Sequence, residues 1–483
     1  MIPISLADLA CWTGGDLVRG SPDQTVLSIS TDSRTVTRGA CFVALVGARF
    51  DGHDFVGAAV RKGASAVVVS RQRLNLRAAL PETVGVIGVV DTARALVQIA
   101  GGYRRRFAVP VVAVTGSNGK TSTKDMIAAV LARRYRVLAT EKNFNNEVGL
   151  SLTLLNLEPS HEVAVVELGM RAKGEIAQLA RAAVPSYGVV TNVGPVHIET
   201  LGSLDAIASA KAELVDALPR EGVAFLNADD ERVRAMGSRS RARVVTYGFS
   251  PDAAARAVGV ESLGLEGSRF DLLFDGRRLS LRIPVPGRHQ VMNAAAAAAV
   301  GLTLGVPPDQ VQEALATVRL AEMRLAVTPL PGGGALINDA YNASPLSMAA
   351  ALGVLAEADG ERRVAVLGDM LELGPLAPAA HRELGARAAQ AGVDLLIAVG
   401  QHREEMAVGA RAAGLPPEAI VALADAQEAA RSVAAWLRPG DVVLIKASRG
   451  VRLEQVAEAV AAHWGKGSHQ GAEAADEKET SRT

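Results

Sequence analysis

The stretch that most limits what this chain can fold into is Val111-Val-Ala-Val-Thr-Gly116-Ser-Asn-Gly119-Lys-Thr-Ser-Thr123. Its apolar, mostly β-branched start reads as a buried parallel strand, the Gly/Ser/Asn run as a tight loop, and Lys120 onward as the first turn of a helix. Glycines let backbone N–H groups converge on an anion at a helix N-terminus, where the helix dipole favours negative charge. Thr115, Gly116, Ser117, Asn118, Gly119, Lys120 and Thr121 are therefore expected to cradle the phosphates of a nucleoside triphosphate. Lys120 would reach the β/γ-phosphates and the Thr121 hydroxyl would serve Mg²⁺. The loop is a short one, since Gly116 precedes Gly119 by three positions. A strand–turn–helix without a ligand is the plain alternative.

At 483 residues, 49% of them hydrophobic, the chain exceeds a single core. Its length points to about three domains. Fifty-one basic and 51 acidic residues cancel, so no global field draws the chain to nucleic acid or a membrane, and an anionic ligand must be held by a local site. Cys11 and Cys41 stand far apart in no metal-ligand spacing, which fits a reducing compartment. The start has no basic n-region, Asp8 interrupts its apolar stretch, and no window is apolar enough to span a bilayer. A cytoplasmic chain without membrane insertion is expected.

The expected fold class is α/β in three units: residues 1–107, 108–322 and 323–465, with a disordered, Gly/Ser/Glu/Lys-rich tail at 466–483. In the first, strands at 40–45 and 66–69 flank a helix at 55–62, and Ser30-Thr-Asp32-Ser33-Arg34 and Asp51-Gly52-His53 offer polar groups near a strand end. They suit a phosphate-bearing ligand, or form ordinary solvated turns. In the second, the asparagine-rich 143–146 loop fits a polar substrate, or satisfies its own backbone. The 163–167 strand ends in Glu167 and the 187–191 strand leads to His197, which puts a carboxylate and an imidazole at the sheet edge where ligands sit. Lys211 lies on an Ala-rich helix at 204–218, where a lysine usually snorkels to the surface. An irregular β-rich region ends at Pro286, and His289 and Asn293 share a face of the next helix. In the third, strands at 335–339, 364–367, 395–399 and 442–445 alternate with helices as a doubly wound sheet.

Taken together, Thr115-Gly-Ser-Asn-Gly-Lys-Thr121, the 143–149 loop, Glu167-Leu-Gly169, the His197 segment, Lys211, Gly287-x-His289-x3-Asn293 and Asp339-Ala-Tyr-Asn342 resemble the Mur ligases, ATP-dependent amide-forming enzymes of peptidoglycan precursor synthesis. The 339–348 and 367–374 stretches resemble the member that adds D-alanyl-D-alanine to a UDP-N-acetylmuramoyl-tripeptide. The resemblance implies an N-terminal UDP-binding domain, a central P-loop ATPase and a C-terminal Rossmann-like domain that closes over ATP. It carries Ser33, Arg34, Asp51, Gly52 and His53 to the UDP-sugar, and Asn145 and Asn146 to the rest of that substrate. It carries Thr121, Glu167 and His197 to Mg²⁺, with Lys211 bearing a carbamate. Asn293, Arg324 and Asp339 go to adenine, phosphates and ribose. Catalysis would rest on Lys120, Lys211 and His197. Gln290 stands where relatives have asparagine, and no glycine precedes Met323-Arg324.

The dipeptide donor needs a group that reads its carboxylate. Asn342, Lys446 and Arg449, at strand ends of the third unit, are the candidates, although either cation could instead pair with an acidic neighbour. The expected partners are these two substrates, the cofactors ATP and Mg²⁺, and the expected state a monomer. A ligase of the same series that adds a single amino acid, a folylpolyglutamate-synthetase-like enzyme, and a non-catalytic P-loop switch remain as alternatives. Glu167, His197 and Lys211 beside Lys120 weigh against the switch.

Overall fold

The computed structural model describes residues 1–47, 49–141 and 144–464. The expectations for Asn143 and for the 466–483 tail lie outside them. Three large sheets and one two-stranded pair organise the described residues. The first sheet has Ser28–Ser30, Ala40–Val43, Ala66–Ser70 and Gly85–Val89 in parallel, with Asp16–Arg19 antiparallel at its edge. The helix expected at 55–62 is divided. Asp51 caps a 3-10 turn over Gly52–Phe55, and the α-helix proper is Val56–Lys62.

The central sheet is built around Val111–Thr115, every residue of which is buried. Burial on both faces is why this strand reads as an uninterrupted apolar run and not as an alternation. Val163–Glu167 pairs with it on one side and Tyr187–Val190 on the other, both in parallel. The chain order reverses at this strand, and such a switch point opens a crevice at the strands' carboxyl ends. The irregular β-rich region resolves into an antiparallel meander, Ala255–Ser262, Ser268–Phe274 and Arg277–Ile283, which extends the far edge of the same sheet. The Ala-rich helix begins earlier than its alanines, running Arg288–Thr303, so that His289 and Asn293 both lie on it. Ala294 to Ala299 are all fully buried. Only small side chains allow this helix to lie close to Lys120–Leu131 and the meander at once, and a methyl on Gly301 would collide with Val130.

The third sheet is parallel in the order Ala335–Asn338, Asp441–Lys446, Arg362–Gly368, Leu395–Val399, Ile420–Leu423, with Ala326–Pro329 antiparallel at the edge. The first and second units are joined by buried polar groups. Arg104, 5% exposed, donates to the carbonyls of Ala183, Phe107 and Val109 at 3.0, 2.6 and 2.5 Å. Tyr103 accepts the N–H of Ile2 and donates to Leu157 O, both at 2.8 Å. Each carbonyl left without its donor would cost about 1–3 kcal/mol, so these residues fasten the junction. Among the described residues no helix is long and apolar enough to cross a membrane.

A candidate active site between two sheets

The carboxyl edges of the central and third sheets face each other across one cavity of about 840 Å³. The phosphate loop forms its floor. Gly116 has φ 146°, and a Cβ there would collide with Thr191 Oγ1; Gly119 has φ 78° and would press a Cβ to 2.8 Å from Asn293 Oδ1. Only glycine fits either position. The loop is held from the neighbouring strand end: Asn192 Oδ1 accepts the N–H of Asn118 at 2.9 Å, and Thr191 Oγ1 donates to Asn118 O at 2.6 Å. Lys120 folds over the loop, its Nζ donating to Gly116 O and Ser117 O at 2.9 and 3.2 Å. Burial holds its pKa below the usual lysine range, and Arg324 adds to this, while Glu167 opposes it. An anion of several charges bound here would relieve both effects.

Thr121 Oγ1 donates to Glu167 Oε2 at 2.7 Å, and Asn145 Nδ2 donates to Glu167 Oε1 at 2.6 Å. A hydroxyl and a carboxylate side by side are hard oxygen donors of the kind Mg²⁺ takes. Among the described residues no cluster of three or more His, Cys, Asp or Glu forms a complete metal cage. Phosphate oxygens and water would have to complete the shell, which is the usual arrangement for Mg²⁺. Asn146 caps the helix Glu147–Leu155 by accepting Gly149 N–H at 2.8 Å.

Lys211 lines this cavity yet is 2% exposed, so it does not snorkel. Burial, reinforced by the charge of Lys120, drives its pKa well below the ordinary lysine value and favours the neutral amine. His197, in the left-handed region at φ 55°, pairs through Nδ1 with Glu372 of the third unit. Burial lowers its pKa, with Lys120 and Lys211 adding to the effect and Glu372 opposing it. The 163–167 and 187–191 strands therefore do bring Glu167 and His197 to one edge.

From the opposite sheet come Asp339, Tyr341, Asn342, Lys446 and Arg449, and from the connecting segment Arg324. The Arg324 guanidinium lies 4.2 Å from the Tyr341 ring centroid, a cation–π contact that aims it into the cavity. Asp339 Oδ1 accepts Leu325 N–H at 3.1 Å, and its Oδ2 takes Lys446 Nζ at 2.6 Å. Lys446 also donates to Asn342 O at 2.9 Å and is 2% exposed. The pairing with an acidic neighbour thus prevails for Lys446, because burying an ammonium requires a compensating anion. Arg449, with a 55% exposed side chain, meets Glu454 at 3.4 Å and remains open to the cavity. Ser344 Oγ donates to Asn118 Oδ1 at 2.8 Å, which ties the third unit to the phosphate loop.

Asn293 is engaged within the protein: its Oδ1 accepts from Thr123 Oγ1 at 3.1 Å and its Nδ2 donates to Gln290 Oε1 at 2.9 Å. Gln290 therefore acts as the partner that orients Asn293. Burial pushes the neighbouring His289 imidazole down to about 4. Ser33, Arg34, Asp51, Gly52 and His53 are not among the residues lining the cavity. Arg34 forks onto Asp32, and Arg73 donates one hydrogen bond to Asp51 Oδ2 at 2.7 Å. His53 is 2% exposed and both its ring nitrogens are engaged, Nδ1 with Asp51 at 2.6 Å and Nε2 with the N–H of Ser70 at 2.9 Å. It shapes the loop around Asp51 and offers no free ring nitrogen to a ligand. Residues that sequence reasoning did not single out are Tyr341 and Asn192, and Glu372 and Ser344, which it placed only within donor-facing loops of the third unit. Glu372 and Ser344 stand inside the 367–374 and 339–348 motifs, the one signal that could have marked them.

Family models match three successive segments: the catalytic domain of the Mur ligase family at residues 25–104, the Mur ligase middle domain at 114–301, and the Mur ligase glutamate ligase domain at 323–449. The UDP-N-acetylmuramoyl-tripeptide--D-alanyl-D-alanine ligase of Bacillus subtilis (strain 168) is 38% identical over 458 residues, covering 94% of this chain and 98% of that protein. The ligase of the same name from Escherichia coli (strain K12) is 36% identical over 464 residues, 95% of this chain and 99% of that one. Among solved structures, MurF from Acinetobacter baumannii superposes with a TM-score of 0.86 at 30% identity, covering 95% and 98% of the two chains. MurF ligase from Thermotoga maritima, in complex with ADP, gives 0.79 at 28% identity over 91% and 98%. Similarity of this extent, with the three domains in the same order as the three sheets, has one reading: the chain belongs to the Mur ligase family.

Proposed function

We propose that the protein joins D-alanyl-D-alanine to the free carboxylate of a UDP-N-acetylmuramoyl-tripeptide at the expense of ATP, in cytoplasmic peptidoglycan precursor synthesis. The observation that carries this reading is the single cavity on which the phosphate loop, Glu167, Lys211 and His197 converge from one sheet and Arg324, Asp339 and Arg449 from the other. The relatives named above add the identity of the two substrates. The domain limits near residues 107 and 322 and a monomeric state belong to the same reading.

A carboxylate is inert to an amine at neutral pH and must first be activated. In the first step a tripeptide carboxylate oxygen attacks the γ-phosphorus, the bond to the bridging oxygen breaks, and ADP leaves. Lys120 and Arg324 offset the charge on the moving phosphoryl group, and the loop N–H groups hold the remainder in line. In the second, the dipeptide nitrogen attacks the acyl carbon, the C–O bond to phosphate breaks, and the nitrogen loses a proton. Thr121 and Glu167 would hold Mg²⁺, which bound there would supply further neutralisation of phosphate charge. Lys211, as a neutral amine, can add to CO₂ and release a proton to give a carbamate, which would turn the buried neutral group into an anion that could serve the metal. Arg449, exposed beside Glu454, is the cation placed to read the dipeptide carboxylate. Closure of the third domain, through Ser344–Asn118 and Glu372–His197, excludes water that would hydrolyse the acyl phosphate.

The deciding measurement is phosphate release from ATP with each acceptor and donor supplied or withheld. Release that requires D-alanyl-D-alanine and the UDP-muramoyl tripeptide together is expected. Equal efficiency with one free amino acid and a UDP-muramoyl dipeptide would move the assignment to an earlier ligase of the series.

A further inference from the structure

The loop that follows the strand Arg362–Gly368 carries Leu371 and Glu372 to the cavity, and Glu372 reaches His197 across the domain boundary. Phosphoryl chemistry does not explain how this loop is held. Asp369, 7% exposed, accepts the N–H groups of Gln401 and His402 at 2.8 and 3.0 Å. Its carbonyl accepts Ser448 N–H at 3.0 Å, and the Ser448 hydroxyl accepts Leu371 N–H at 3.0 Å. The remaining anchor is a histidine. His381, on the helix Ala377–Gln390, is 0% exposed, with Nε2 2.9 Å from the amide of Met370 and Nδ1 2.6 Å from the carbonyl of Ala377. A backbone amide can only donate and a carbonyl can only accept. The ring is therefore neutral, with its proton on Nδ1 and its lone pair on Nε2, and its two backbone partners fix that tautomer.

We propose that His381 is a positioning residue for the ligation reaction: its neutral imidazole holds Met370, and through it Leu371 and Glu372, in the conformation that docks the third domain on the central one. It touches no substrate. A second ring proton would set two donors against each other and leave the Met370 N–H without an acceptor where no water reaches. The groups facing the ring are His402, stacked at 4.4 Å and 24°, the Asp369 carboxylate 3.8 Å from Nε2, and Glu405, which contacts His402 Nδ1 at 3.3 Å. Asp369, Glu405 and the Ala377 carbonyl favour the cation, whereas burial, the largest influence, and His402 oppose it, so the ring's pKa lies below the ordinary histidine value. The docked loop is thus kept at neutral pH and released as pH falls through that lowered value.

Two measurements test this, and only the second rests on the proposed substrates. In a long-range ¹H–¹⁵N spectrum of histidine-labelled protein, with His381 assigned by its loss in His381→Gln, the neutral Nδ1–H tautomer is expected at neutral pH. A cation or an Nε2–H tautomer would overturn the proposal even if the enzyme proved to use other substrates. In steady-state assays, His381→Leu should raise KM for D-alanyl-D-alanine roughly five- to a hundredfold, the range set by one unmet buried N–H, while the Kd for ADP stays unchanged. His381→Gln, whose amide oxygen can accept the Met370 N–H, should recover most of that loss. It should also displace the acid limb of kcat/KM, because an amide does not titrate there. Wild-type KM in both variants, or an unmoved acid limb in the glutamine variant, would reduce His381 to a packing residue. Should the leucine variant fail to fold, the acid limb of the glutamine variant decides alone.

Discussion

Lys446 offers the sharpest contrast between a residue that reads substrate and one that builds the site. Replacing it with Met keeps the length of the side chain and removes the charge from a group that is 2% exposed, 2.6 Å from Asp339 Oδ2 and 2.9 Å from Asn342 O. Breaking a buried pair on one side leaves the other charge uncompensated, at a cost of about 3–5 kcal/mol. For a domain of this size that corresponds to a fall in its Tm on the order of 10 °C. The double variant Lys446→Met/Asp339→Asn should recover part of the loss, because the orphaned carboxylate is gone. Kinetically, the effect should appear in KM for ATP. The same Asp339 carboxylate accepts Leu325 N–H at 3.1 Å and so fixes the segment that presents Arg324. Differential scanning calorimetry and initial-rate kinetics on the single and double variants give the comparison. An unchanged Tm together with a tenfold rise in KM for D-alanyl-D-alanine alone would show that Lys446 reads the donor carboxylate after all.

Lys120→Met should reduce turnover by at least about a thousandfold and leave the melting transition within a degree or so of wild type, since its Nζ meets only loop carbonyls; residual ligase activity near wild type would remove it from phosphate transfer. Glu167→Gln should raise the Mg²⁺ concentration needed for half-maximal rate, and a superimposable Mg²⁺ titration would leave Glu167 as no more than the partner of Thr121 and Asn145. Lys211→Ala should be nearly inactive and partly rescued by short carboxylic acids that replace a carbamate; no rescue, with no carbon dioxide dependence of the wild type, would sink that assignment.

Much of the central domain was legible because its strands are buried on both faces, and an apolar run such as 163–167 has few other ways to be satisfied. Helix starts were less legible. The polar residues Arg288 to Gln290 stand ahead of the alanines, yet the helix already includes them, and Asn293 on its next turn pairs with both Gln290 and Thr123 inside the domain. The phosphate loop declared itself through local spacing. The partners of His197 and Lys446 did not, since Glu372 and Asp339 lie more than a hundred residues away in sequence and no local pattern encodes such a pairing. For the same reason Lys446 and Arg449 were indistinguishable as cations until burial separated them, one 2% exposed and locked to Asp339, the other largely exposed beside Glu454. His53 read as a ligand contact from its loop and from the family resemblance, and no local pattern showed that its ring would be buried between Asp51 and Ser70 N–H.

Backbone strain in this chain has a location. Among the described residues seven non-glycine residues adopt positive φ, and four of them, His197, Met323, Leu325 and Glu372, lie where the central and third domains meet. A left-handed conformation costs an ordinary side chain roughly 1–2 kcal/mol. None of the four is compensated by a local turn alone. His197 and Glu372 pair with each other across the boundary. Met323 accepts Tyr341 N–H at 3.3 Å through its carbonyl and meets Arg449 at 3.4 Å through its sulfur, and Leu325 donates to Asp339. The pairing of His197 with Glu372 crosses between the central and third domains, whereas the partners of Met323 and Leu325 lie within the third domain itself. Strain of this kind persists only where surrounding structure over-determines it. Its concentration at His197, at Glu372 and on either side of Arg324 puts the over-determined backbone at the cavity that both domains line.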